Sequence, residues 1–375
     1  MRIVIAPDAF KGTLTAPEAA RAMAAGIAGV FPSAELVLLP MADGGEGTLE
    51  ALLAAIAGER RQCQVQDVAG RPLCAEYAVL ADGTAVIEAA RVVGLTLSAV
   101  HDVPVLQRSS AGLGEVLRHT LDAGCRRLLI GLGGTATNDG GAGLLHALGV
   151  RLLDAGGVLL PPTPQGLLRL SAVDISALDA RLADCRIDLL SDVDNPLCGA
   201  HGATRVFGPQ KGLDQRDLPR LDAALARYAT LLEAGDKPLH QGPGSGAAGG
   251  LGFALQWLGA RYRSGADTLL DLVGFEYLLH GADWVMTGEG RSDAQTLHGK
   301  APCAVARRAW QAGVPVALLS GQIDVQAEAA LGALFDALFA VARSPEEVSA
   351  ALRHPEQQLA QAAERAARNW VEWRP

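Results

Sequence analysis

Both ends of this chain repeat one pattern, and that repetition limits the fold more than any compositional total does. Residues 2–6 (RIVIA) form an apolar run without alternation, followed by a loop bearing Asp8 and Lys11. A run that is apolar on both faces is expected of a strand in a parallel sheet covered on both sides. Thr15, Pro17 and Glu18 then read as a helix start: a threonine cap, an early proline, and a glutamate three positions on. A second strand at 35–39, the loop PMADGGEGT and an Ala/Leu-rich helix at 49–57 repeat the unit. The carboxyl-terminal part returns to it with an apolar run ending at Thr287, the loop GEGRSDAQTLHGK, a helix at 305–312, and the strands VPVALLSG and FDALFAV. Such strand-loop-helix repeats predict a doubly wound parallel sheet, whose ligand lies outside the carboxyl ends of the strands. By position, Asp8, Lys11, Asp43, Gly44, Gly45 and Glu46 become candidates.

Between the two ends the rhythm breaks. Residues 62–90 carry short segments such as CQVQDVAG and TAVIEAA that read as hairpin strands. A length of 375 residues also exceeds what one core usually holds. The expectation is therefore an α/β protein with a discontinuous doubly wound domain at 1–62 and 282–375 and an inserted second α/β domain at 63–281.

The middle contributes three further stretches. A helix at 113–123 and a strand at 127–132 lead to GGTATNDGGAG, where Gly133, Gly134 and a second glycine pair flank Asn138 and Asp139 ahead of a helix. Amides at such a helix start favour anions, although a tight packing turn has the same letters. A strand from Ile187 runs into SDVDNP, and two-residue spacing puts Asp192 and Asp194 on one face of an extended chain. Paired acids suit a divalent metal, or a base tuned by its neighbour; turn-forming aspartates ahead of proline read alike. Asn195, before Pro196, is biased to an extended backbone. The glycines of GPGSGAAGGLG lead straight into an apolar helix, which favours a close-packed turn over a tether.

Composition sharpens the choice of residues. Only four lysines occur (Lys11, Lys211, Lys237, Lys300), three of them beside a glycine, and only three asparagines (Asn138, Asn195, Asn369). A compact ammonium serves as a point charge where a planar guanidinium does not fit, so the rare lysines mark candidate anion contacts. The net charge of -9 argues against a nucleic-acid partner. No apolar span is long enough for a membrane helix, and the run before Pro7 is too short for a signal peptide. Six cysteines without a CxxC pair indicate neither zinc nor a disulfide framework. A soluble, cytoplasmic protein is expected.

Acids for Mg²⁺, cations for a transferring phosphoryl group and glycine amides for its oxygens are the needs of phosphoryl transfer. No Walker A motif is present, and no GxGxxG follows the first strand, which disfavours a dinucleotide enzyme. GPGSG matches the nucleophile-elbow letters without the preceding strand. Of the histidines, only His298, beside the Gly299-Lys300 pair, stands among the candidates.

The motifs IAPDAFKGTL, ADGGEGT, GLGGTATNDGGAG, DVDNPLCG, FGPQKG, GAAGGLG and TGEGRSDAQTLHGKAP, in this order along nearly the whole chain, resemble those of the bacterial type I glycerate kinases. The family's TSxGTGE-like segment reads SSAGLGE here, at 109–115. The resemblance implies a flavodoxin-like domain with an inserted second domain, and ATP- and Mg²⁺-dependent phosphorylation of D-glycerate, in most such enzymes to 2-phosphoglycerate. Charge then assigns expected roles. Asp192 or Asp194 acts as base or holds Mg²⁺, with Glu289 and Asp293 completing the metal site. Lys11, Lys211, Lys300 and Arg291 bind the substrate carboxylate and the γ-phosphate. Asn138, Asp139, Asn195 and the neighbouring glycines hold substrate or nucleotide. The expected site is the cleft between the edge bearing Glu289 and the inserted domain.

Overall fold

Five parallel strands form the sheet that the chain ends were expected to share. Strand Arg2–Pro7 pairs with Glu35–Leu38 on one side and Trp284–Gly288 on the other, with Ile3 opposite Trp284 and Pro7 opposite Gly288. Val316–Ser320 and Ala337–Ala340 extend the sheet outward. Counted along the chain the order is 2-1-3-4-5, which is the flavodoxin-like arrangement. The computed structural model describes residues 1–233, 238–297 and 299–373, so Lys237 and His298 lie outside the described residues.

Alternation along the strands explains the winding. Ile3, Ile5, Trp284, Met286, Ala317 and Leu319 share one core with the helices Ala16–Val30 and Pro355–Trp373. Val4, Val285 and Leu318, equally buried, point to the opposite face, where helix Ala301–Gln311 packs. Thr15 caps the first helix as its sequence predicted: its hydroxyl accepts the Glu18 amide, and Glu18 Oε2 takes the Thr15 amide at 2.8 Å. Gly26 permits the close approach of the last helix, since a Cβ there would lie 2.0 Å from the Ala360 carbonyl oxygen. The rings of Trp284 and Trp370 stack at 4.9 Å between centroids, joining sheet and last helix.

The contacts define two units: Met1–Asp43, Glu50–Ala57 and Ser264–Pro375 in one, Gly44–Leu49 and Gly58–Arg263 in the other. From the sequence pattern these borders are expected at 62/63 and 281/282. Gly58–Gln66 belongs with the second unit because it pairs antiparallel with Pro72–Leu80 along its whole length. Helices Gly265–Val273 and Phe275–Leu279 belong with the first, because Arg308 of helix Ala301–Gln311 bonds Asp267, Asp271 and Glu276.

The second unit has a six-stranded mixed sheet in the order Arg261–Arg263, Arg186–Leu190, Arg127–Gly131, Thr84–Glu88, Pro72–Leu80, Gly58–Gln66. The first four strands run parallel, and the hairpin expected from the change in pattern forms the antiparallel edge. Helix Ala111–Asp122 packs on Ala142–Ala147 through a core that includes Leu113, Val116, Leu117, Leu144 and Leu145.

Candidate active site at the strand ends

In the flavodoxin-like order the chain leaves the first and third strands toward opposite faces, and their carboxyl ends diverge to form a crevice. Asp8 follows the first strand and Glu289 the third. Around them lies a cavity of ≈ 400 Å³ whose lining includes Asp8, Lys11, Asp43, Glu289, Arg291 and Lys300. The opening loop and the carboxyl-terminal loop singled out in the sequence therefore meet within one unit.

Asp8 is buried, and its pKa is pushed up to about 7. Burial is the main cause and the charge of Asp43 the next, opposed by the Ala9 amide and Lys11, with a smaller push from Glu289. Its Oδ1 accepts the Ala9 amide at 2.7 Å. Lys11 Nζ is 3.9 Å from Asp43, and with the lysine side chain 79% exposed the ammonium is accessible to another anion as well. Glu289, also buried, is more tightly held. Its Oε1 accepts from Ser292 at 3.0 Å and Thr296 at 2.6 Å, and its Oε2 from Lys300 at 3.3 Å. Ser320, ending the next strand, bonds Ser292 at 2.6 Å. Arg291 lies 3.6 Å from Asp324, and Asp293 Oδ1 accepts the Gln295 amide to close a short turn.

The second unit gathers a different group of candidates, and it is internal. Asn138, Asp139 and Lys211 are all buried. Lys211 Nζ donates to the Thr137 carbonyl at 2.7 Å. Burial pulls the pKa of this ammonium down to about 7, with Arg108 adding and Asp139 opposing. Asp139 accepts from the Ser110 amide and hydroxyl at 2.8 and 2.7 Å, and from the amides of Gly141 and Gly143. Burial raises its pKa against those bonds. The chain's own carboxylate thus takes the helix-start amides that the glycine pattern offered to a ligand. Asn138 Nδ2 donates to Thr204 at 2.9 Å, while its Oδ1 and Thr137 Oγ1 meet no partner among the described residues.

The glycines of this unit answer to packing. A Cβ at Gly44 would lie 2.7 Å from that of Leu190, one at Gly133 would lie 2.5 Å from Gly45 Cα, and Gly134 adopts a φ of +66°. The run at 244–250 is a close-packed turn as expected: Ala248, Gly249 and Gly250 are all left-handed, and a Cβ on Gly249 would strike the Thr137 carbonyl oxygen at 2.1 Å. Asp192 and Asp194 follow the strand Arg186–Leu190 and are exposed on either side of Val193. Tyr262 donates to Asp194 at 3.3 Å, and Asn195 Nδ2 bonds the His201 carbonyl.

Among the described residues no three or more His, Cys, Asp or Glu side chains come together as a group that could hold a metal. Glu289 is engaged by two hydroxyls and an ammonium, and Asp293 closes a turn. Lys211 is buried with its Nζ on the Thr137 carbonyl. Ser292, Thr296 and Ser320 carry no distinctive signal in the sequence, although two of them lie inside the motif RSDAQT. Arg108, whose guanidinium bonds the carbonyls of Val100, Val103, Ala136 and Lys211, carries no signal in an arginine-rich chain.

Comparison with known proteins bears on this arrangement. The sequence model of the glycerate kinase family matches residues 3–371. Glycerate kinase of Bacillus subtilis (strain 168) is 43% identical over 372 residues, 98% of this chain and 96% of that protein. Glycerate 2-kinase of Escherichia coli (strain K12) is 42% identical over 350 residues, 92% of this chain and 91% of that protein. A crystal structure from Salmonella typhimurium LT2, assigned as glycerate kinase 2, superposes with a TM-score of 0.85 at 41% identity, covering 99% of this chain and 98% of that one. Matches that run through both units and every motif quoted above have one meaning: the chain belongs to the glycerate kinase family.

Proposed function

We propose that this protein transfers the γ-phosphoryl group of ATP to the 2-hydroxyl of D-glycerate, giving 2-phosphoglycerate and ADP. Family membership supports the reaction, and the name of the Escherichia coli relative supports the position of the phosphate. The observation that carries the site is the convergence of Asp8, Asp43, Glu289, Lys11 and Lys300 on one cavity at the switch point of the sheet.

An O–P bond forms at the hydroxyl as the bridging P–O bond to ADP breaks, and the hydroxyl proton passes to a carboxylate. Lys11 and Lys300 offset the charge on the phosphoryl oxygens, with Arg291 at the rim. Ser292 and Thr296 fix Glu289, which in turn aims the Lys300 ammonium. Asp8, whose pKa is raised first by burial and then by the charge of Asp43, and Asp43 beside it would hold Mg²⁺, an ion bound through one or two carboxylates plus substrate phosphates. The ion would screen phosphate charge. Asp192 remains the proposed base toward the hydroxyl, with Asp194 beside it, and Asn138, Asp139 and Asn195 shape the loops of the second unit. The six cysteines are all unpaired thiols, which supports a cytoplasmic setting, and no described helix is long and apolar enough to cross a membrane.

The test is D-glycerate-dependent ADP release in wild type, Lys11→Ala and Lys300→Ala. Losing either ammonium is expected to cost about 100-fold in kcat. Near-native turnover in both variants would refute the site, and ADP release without any need for D-glycerate would refute the substrate.

A further inference from the structure

We propose that the cavity at the strand ends is the seat of the adenine nucleotide, with base and ribose against its apolar wall and phosphates toward Lys11 and Lys300. This rests on the kinase reading and deepens it by naming which of the two substrates the cavity takes. The cavity has two kinds of surface. Its lining includes the cations Lys11, Arg291 and Lys300 and the apolar side chains Val341, Val348, Ala351 and Leu352. A small hydroxy acid is polar throughout and gains nothing from such a wall. A nucleotide is charged at one end and presents a flat apolar face at the other.

The volume of ≈ 400 Å³ falls within the range of small-molecule sites. Leu352 is 60% exposed on helix Pro345–Arg353, so a large apolar side chain is left in water beside the cavity, where a base would cover it. The loop after the first strand adds an anion-binding feature. Its amides at Ala9, Phe10, Thr13 and Leu14 are bonded within the loop, whereas those of Lys11 and Gly12 meet no acceptor among the described residues. Gly12 is held at φ +82° with nothing within 4 Å of its Cβ position, leaving that backbone open to a ligand. Unpaired amides beside an exposed ammonium are what phosphate oxygens require.

The experiment uses the full chain with two substitutions, Leu352→Glu at an exposed position and Ala351→Trp to fill the cavity. Steady-state KM is measured separately for ATP and D-glycerate, and affinity for the fluorescent probe mant-ADP is titrated in parallel. The expected result is a rise of about tenfold or more in the KM for ATP and the Kd for mant-ADP, with the KM for D-glycerate unchanged within about twofold. Unchanged nucleotide parameters in both variants would overturn the proposal, and so would a rise in the KM for D-glycerate alone. Probe binding needs no turnover, so its dependence on Leu352 supports the proposal even where D-glycerate proves not to be the acceptor.

Discussion

Lys211 shows how far a single side chain can depart from its ordinary behaviour. Its pKa falls from 10.5 to about 7 because burial disfavours the ammonium. Between those values the unfolded lysine is protonated while the folded one is increasingly neutral, so the unfolded state binds more protons and stability rises with pH. Wild type should therefore gain thermal stability relative to Lys211→Met as pH increases from about 7 to about 10. A difference that stays constant across that window would contradict the buried, depressed lysine. At the other site, Thr296→Val leaves an oxygen of buried Glu289 with one partner fewer, which should lower stability by about 1–3 kcal/mol. It should also lower kcat, and Thr296→Ser should restore both; thermal melts and initial rates check this, and a fully active valine variant would remove Glu289 from the account. The charged members of this cluster stood out in the sequence because charge is rare in apolar surroundings. Its hydroxyls did not, since serine and threonine in a loop are ordinary until a fold aims them.

At the scale of elements, the left-handed turn at Ala248–Gly250 and the close helix pair are the sensitive points. Ala248 holds φ 55° although it carries a Cβ. Replacing it with glycine should stabilise the protein by up to about 1 kcal/mol, whereas Gly249→Ala should destabilise by about 1–3 kcal/mol through its clash with Thr137. Denaturant titration of both variants gives the signs; equal effects would deny that the turn is set by the approach of the two backbones. Trp370→Ala opens the stack on Trp284 and should cost about 3–5 kcal/mol, read as a lower midpoint of the unit holding the five-stranded sheet. A negligible shift would mean that the last helix does not brace it. The capping box at Thr15 was legible because it is spelled by residues three apart. The antiparallel pairing of Arg151–Leu153 with Ala172–Asp174 was not, since three-residue strands show no period. The handedness of Ala248–Gly250 comes from contacts with residues over a hundred positions away, which the glycine spelling does not contain.

Across the whole molecule, the matching pattern at the two chain ends reported one sheet, and strand Arg2–Pro7 does pair with Trp284–Gly288. What it could not report were the borders of the units, because hairpin register and the ion pairs of Arg308 decide them. Nor could it separate loops that stay open from loops closed by their own carboxylates. Asp8 and Asp139 both sit in glycine-bearing loops after strands, yet one lines a cavity and the other satisfies four donors. The most direct measurement of the central claim is proton-coupled phosphorus NMR of the product formed from ATP and D-glycerate. The account predicts a phosphate doublet, from coupling to the single proton of the 2-position; a triplet from phosphate at the 3-position, or ADP with inorganic phosphate alone, would contradict it.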